Sequence, residues 1–207
     1  MIFPLLKAKY NLLYHLYQQR EIGISRLLRE ARLSPRVGYA YLKDLIKAGI
    51  VSETKTGEKP SVRMIRPNFS SESGQLFFAL LEEEKKNEFL EKYPSLYGPL
   101  HQFNEETKRF ILTGAIFGSF ARQSANQSSD LDLLIVPEKR NKKKLSAIIE
   151  RCFITISSRV SARILEEVEF VQLIKKKNPF ALQIANEHII VVNGYNWVKL
   201  LNRVYQE

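Results

Sequence analysis

The chain has 207 residues, 44% of them hydrophobic and 26% charged, a composition that can bury two modest cores and is not that of a disordered chain. Its formal net charge is +10, and residues 1–68 alone hold thirteen Lys and Arg against five Asp and Glu, the electrostatic footprint of nucleic-acid binding. No run approaches the eighteen apolar residues of a membrane span, MIFPLLKAKY lacks the long apolar region and cleavage site of a signal peptide, and Cys152 as the only cysteine excludes an internal disulfide and a cysteine zinc cluster; a cytoplasmic location is expected.

In chain order, an apolar-periodic helix is predicted over Leu5 to Gln19 and a short one over Ser25 to Ala31. Leu33, Ser34 and Pro35 form a turn with Ser34 as N-cap and Pro35 at the first helical position. The third helix runs to Lys47 and is stopped by Gly49. Two strands follow, Ile50 to Thr54 and Ser61 to Arg66, joined by Lys55, Thr56, Gly57, Glu58, Lys59 and Pro60. Within the third helix Gly38, Tyr41, Leu42 and Leu45 form the stripe for the core, and Arg36, Tyr39, Ala40, Lys43 and Lys47 fall opposite.

This order, helix, helix, turn, helix, hairpin, resembles a winged helix-turn-helix domain of prokaryotic transcription regulators over most of residues 5–67. The resemblance implies double-stranded DNA as partner, with the third helix in the major groove. Arg36 and Tyr39 are then placed for base or nearby phosphate contacts and Lys43 and Lys47 on the same face. Lys55, Lys59 and Arg63 on the wing are expected at phosphates, which position a protein without specifying sequence. Some winged helices serve protein contacts instead, which is the other reading.

A long helix is expected over Ser71 to Tyr93, with Leu76, Phe77, Leu80 and Leu81 before an acidic stretch and Phe89, Leu90 and Tyr93 after it. It must bury this apolar content against a domain or a second copy, so a homodimer through residues 69–98 is one expectation and packing within one chain the other. Pro94, Gly98 and Pro99 mark the boundary to a second domain, 99–207. There the expected elements are a helix near Leu100 to Thr107, a strand Phe110 to Phe117, a helix starting at Ser119 and a strand Asp130 to Val136. A helix Asn141 to Cys152, a strand Thr155 to Leu165 and helices Glu166 to Lys176 and Pro179 to Asn186 follow. A small strand Ile189 to Val192 and an amphipathic helix Trp197 to Tyr205 close the chain. His15, His101 and His188 stand without metal-ligand spacing and read as surface or core histidines, and the Lys triplets at 142–144 and 175–177 as exposed helix faces or ends.

The chemistry concentrates in ILTGAIFGSFARQSANQSSDLDLLIV, Ile111 to Val136. Side chains at i and i+2 of a strand share a face, so Asp130 and Asp132 project together while Leu131 and Leu133 enter the core. Two carboxylates that close repel, and a divalent cation removes the conflict; Mg²⁺ is commonly held by one or two carboxylates plus substrate phosphates. Gly118 lets backbone approach a phosphate, and Ser119, opening a helix, adds a hydroxyl to free N–H groups that favour anions.

GS, a spacer and DxD between apolar strands resemble the signature of the DNA polymerase β nucleotidyltransferase superfamily, in particular its minimal nucleotidyltransferases, and Phe120, Ala121 and Arg122 continue it as GSFAR. The C-terminal stretch ILEEVEFVQLIKKKNPFALQIANEHIIVVNG looks like the tail of winged-helix nucleotidyltransferase fusions. The implied fold class is α+β, a winged helix-turn-helix followed by a mixed sheet with flanking helices. The resemblance further implies Mg (or Mn) held by Asp130 and Asp132, NTP as substrate or ligand at Gly118, Ser119 and Arg122, and transfer of a nucleoside monophosphate to a protein or RNA hydroxyl. A place in a toxin–antitoxin system follows from it, with a HEPN-type toxin or another protein as acceptor. Two departures stand out: relatives carry a third carboxylate in a segment like RVD, where this chain has Arg159, Val160 and Ser161, and Gln123 stands where Gly is usual. Glu166, Glu167 and Glu169 nearby are ordinary acidic residues of a helix start. The alternatives are therefore an active transferase on a DNA-binding regulator, a degenerate one serving as nucleotide sensor or scaffold, and, last, a winged helix gripping a structured RNA substrate.

Overall fold

The computed structural model describes residues 7–55, 61–138, 142–156 and 159–205. The chain divides into two compact units, Met1–Leu81 and Glu82–Glu207. Among the described residues the first unit carries α1 (Lys7–Gln19), β1 (Ile22–Gly23), α2 (Ile24–Glu30), α3 (Pro35–Lys47), β2 (Val51–Lys55) and β3 (Arg63–Pro67). Helix α4 (Glu72–Lys92) runs through the division, and a 3-10 turn (Pro94–Leu96) follows it. The second unit continues with α5 (Tyr97–Thr107), β4 (Ile111–Phe117), α6 (Gly118–Ala121), β5 (Leu131–Pro137) and α7 (Lys142–Cys152). It ends with β6 (Val160–Ile164), α8 (Glu167–Lys175), α9 (Pro179–Asn186), β7 (Ile189–Val192) and α10 (Gly194–Tyr205).

In the first unit Leu12, Leu13, Leu16, Leu27, Leu28, Leu42, Leu45 and Ile65 bury their side chains, a core fed by one apolar stripe per helix. Gly38 is the point of closest approach, since a Cβ there would lie 2.2 Å from Leu28 Cδ2. Ser34 occupies the N-cap position of α3 and Pro35 its first turn, but the Ser34 side chain makes no capping bond. At the other end Gly49 adopts φ +71°, and its N–H reaches the Ile46 carbonyl while the Ile50 N–H reaches that of Leu45, the Schellman ending that glycine permits. β2 and β3 pair antiparallel from Val51↔Pro67 to Lys55↔Arg63. The two-residue β1, absent from the sequence expectation because it is too short to show a period, adds Ile22↔Ile65 on the other edge of β3. Lys59 and the rest of the connection 56–60 lie outside the described residues.

Ser71 caps α4: its Oγ accepts from the Gly74 N–H at 2.9 Å. Phe78 stacks on Tyr17 with centroids 5.2 Å apart, and Phe89 joins the core of the second unit. Leu76 and Leu80 remain exposed at 52% and 42%. Gly98 and Pro99, expected to mark a domain boundary, sit in the first turn of α5.

The second unit is built on a mixed four-stranded sheet of order β6-β5-β4-β7, with β4 antiparallel to β5 and β7 and β5 parallel to β6. Leu131, Leu133 and Ile135 point to one face, into a cluster with Phe103, Leu145, Ile149 and Phe153. The expected strand Thr155 to Leu165 is shorter: Thr155 lies in a turn after α7, residues 157 and 158 lie outside the described residues, and pairing runs from Val160 to Ile164.

Candidate functional site

Strand register brings the signature together. Phe117, the last residue of β4, pairs with Asp132, so the chain leaving β4 turns against that carboxylate. Gly118 turns with φ +70°, and a Cβ there would lie 2.4 Å from Asp132 Oδ2. The glycine is thus required twice, for a left-handed backbone and for space occupied by the carboxylate. Gly118, expected beside a phosphate, lies first against Asp132. Ser119, half-buried, is the second residue of the one-turn α6.

Asp130 lies just outside β5, exposed, rather than inside the strand as expected. The connector before it is ordered by Asn126, whose side-chain oxygen accepts from the Ser128 N–H at 3.0 Å while its own N–H reaches Ser129 Oγ at 2.9 Å. Burial, and next the charge of Asp130, hold the Asp132 carboxyl above the usual carboxylate range; a Ser161 hydrogen bond and the charges of Arg163 and Arg122 pull the other way. Two hard carboxylates, one of them poorly solvated and repelled by its neighbour, fit a divalent cation of the Mg²⁺ type.

Ser161 pairs directly with Asp132 in the parallel ladder. The position where a third carboxylate is expected is therefore structurally present, adjacent to Asp132, and holds a hydroxyl. Among the described residues no group of three His, Cys, Asp or Glu could hold a metal. Glu167, half-buried, is ion-paired with Arg203, and Glu166 and Glu169 are exposed at the start of α8.

Arg122 is exposed and holds Glu187 at 3.4 Å. Gln123 keeps the turn that glycine would favour by adopting φ +58°, and its carbonyl and side chain both accept from Lys92 Nζ, at 3.1 and 3.2 Å.

In the first unit Arg36, Tyr39, Ala40, Lys43 and Lys47 are exposed on α3, opposite the buried Gly38, Leu42 and Leu45. Lys55 is exposed at the end of β2. Arg63 is bound in two-point fashion by Glu53 across the hairpin, Nη2 to Oε2 at 2.8 Å, and its guanidinium lies 5.5 Å from the Tyr39 ring. That bond holds the Glu53 carboxyl below its ordinary range.

One cluster had no signal in the sequence. His188, read as an ordinary histidine, is buried with Glu82 and Lys85; its Nε2 lies 2.8 Å from Glu82, and Lys85 donates to the same carboxylate at 3.0 Å. Nδ1 faces the Ile184 carbonyl at 2.8 Å. Lys85 Nζ also lies 3.5 Å from His188 Nε2, so the three side chains form one buried polar cluster. Residues more than a hundred positions apart give no spacing to read.

Residues 102–194 match the nucleotidyltransferase family described as polymerase beta. The match spans α5 to the start of α10 and contains Gly118, Ser119, Asp130, Asp132 and Ser161. No curated protein and no solved structure matches the chain.

Proposed function

We propose that the chain is a DNA-binding regulator or antitoxin-like protein whose C-terminal domain takes a Mg²⁺ (or Mn²⁺) nucleoside triphosphate and transfers its nucleoside monophosphate to a protein or RNA hydroxyl. The observation that carries the reading is the interlock of Gly118 with Asp132 inside a region that matches the polymerase beta nucleotidyltransferase family. Asp130 and Asp132 hold the metal, which supplies charge stabilisation at the phosphates. Gly118, Ser119 and Arg122 bind the nucleotide. Arg122, tethered by Glu187, brings positive charge to the rim of the carboxylate pair.

DNA binding is supported by the concentration of basic residues in 1–68 and by the exposed row Arg36, Tyr39, Lys43 and Lys47 on α3, a helix that follows α2 after a short turn as a recognition helix does. The hairpin β2–β3 is then the wing.

A second reading is favoured by Ser161 beside Asp132: the domain binds nucleotide as a sensor or protein-binding scaffold and transfers nothing. Labelled ATP separates the two. Incubation with α-phosphate-labelled and γ-phosphate-labelled ATP and the proteins of the native host should label an acceptor from the α-labelled nucleotide alone, and Ser161→Asp should increase that labelling. Saturable nucleotide binding with no label from either, and none restored by Ser161→Asp, would support the sensor.

A further inference from the structure

We propose that the outer edge of β6 is a docking site for an extended, acidic segment of a protein partner, which adds itself to the sheet as a fifth strand beside the nucleotide site. Among the described residues β6 is the terminal strand. The Leu131 N–H reaches the Arg159 carbonyl at 2.8 Å and the Leu165 N–H reaches that of Ile135 at 3.1 Å. In a parallel ladder the residues that bond a neighbour alternate, so the odd positions face β5. Val160, Ala162 and Ile164 therefore direct their N–H and C=O groups away from β5, a ladder of alternating donors and acceptors that no other strand pairs among the described residues. A polypeptide strand matches that alternation; a phosphate backbone, which only accepts, does not.

The two faces of the edge differ. Side chains of Val160, Ala162 and Ile164 share the face of Leu131, Leu133 and Ile135, and a groove of about 340 Å³ runs there, lined by Ser146, Ile149, Glu150, Phe153, Val160 and Ala162. Arg159 and Arg163 are exposed and share the face of Ser161 and Asp132. From Lys142 to Leu165 the chain has six Lys and Arg and one Glu, so a second copy of this edge would repel the first. The partner that fits alternates apolar side chains, set into the groove, with carboxylates set on Arg159 and Arg163. Such recognition draws affinity from main-chain bonds and specificity from alternate side chains.

A strand added here runs two strand spacings, roughly 10 Å, from β5 and Asp132. The docked segment is thereby held where a protein acceptor must be held. That role rests on the transferase reading; the docking itself rests on β6.

The test uses the full chain and a capped peptide of about seven residues, the length of an ordinary strand, alternating glutamate and valine, with a lysine–valine peptide as its counterpart. Amide hydrogen exchange should show new protection at Val160, Ala162 and Ile164 on adding the acidic peptide, while Ser161 and Arg163 are protected throughout. Calorimetry should place the lysine peptide at least about tenfold weaker, a difference of about 1.4 kcal/mol. Ala162→Pro removes one outward N–H and nothing from the ladder with β5, a substitution that edge strands accept; it should abolish peptide binding and leave the circular dichroism spectrum and the heat of Mg²⁺·ATP binding as in the wild type. Equal binding of both peptides, or no new protection at the three amides, would overturn the proposal. So would displacement of the peptide by a single-stranded oligonucleotide that protects none of these amides, which would make the basic edge a nucleic-acid surface. Peptide docking without any Mg²⁺·ATP heat would keep the docking and sink the transferase reading.

Discussion

Gly118 and Asp132 form one device. The backbone of the glycine sits where an L side chain costs about 1–2 kcal/mol, and the missing Cβ leaves room for the carboxylate. Gly118→Ala should therefore lower stability by about that amount and also abolish nucleotide binding, because Asp132 must move; retained binding affinity would contradict the interlock. Asp132 itself is held in a setting that disfavours its charge. Its folded pKa lies above the unfolded one, so the fold prefers the protonated acid. The stability this gives is present at low pH and is lost as pH rises through the carboxylate range. Asp132→Asn should accordingly raise the melting temperature at neutral pH in metal-free buffer, and the gain should vanish on acidification below that range. A lower melting temperature at neutral pH would show that the carboxylate is no burden to the fold. Stability given up at a functional site is the usual pattern.

At the scale of elements, α2 and α3 approach closely at Gly38, where an added methyl group meets three atoms of Leu28 at 3.0 Å or less. Gly38→Ala should lower the stability of the first unit by about 1–3 kcal/mol, the ordinary cost of overpacking, read by denaturant unfolding of tryptophan-free probes in that unit; no change would mean that α2 and α3 are not in fixed contact. The helices of this unit were legible because each carries a 3.6-residue stripe, and α3 also carries Pro35 and Gly49 at its ends. β1 was not legible, since two residues have no period and owe their pairing to Ile65 of β3. In the second unit β4 and β5 were visible as apolar runs, but the register that sets Phe117 against Asp132 has no local signal. β6 was overextended because Ile156, ahead of it, packs against the core without being part of a strand. Glu82 and Lys85 of the buried His188 cluster lie in and just after the acidic stretch of the long helix; what buries them is tertiary contact, with no local trace.

For the whole molecule the uneven charge has a consequence. The net charge of +8 in residues 1–68, with Arg36, Lys43 and Lys47 exposed on one helix, predicts DNA affinity that falls steeply with salt. For six to ten phosphate contacts the drop is roughly 10³- to 10⁵-fold between 50 and 200 mM, measured by fluorescence anisotropy on duplex DNA; a shallow slope would count against DNA as the partner. Among the described residues no helix is long and apolar enough to cross a membrane. The more direct test concerns the carboxylate pair. Calorimetric titration of ATP and GTP with Mg²⁺ into the wild type and into Asp130→Asn/Asp132→Asn should give saturable heat for the first and none for the second. Absence of binding to the wild type, or equal binding to both proteins, would contradict a metal–triphosphate site built on Gly118, Asp130 and Asp132.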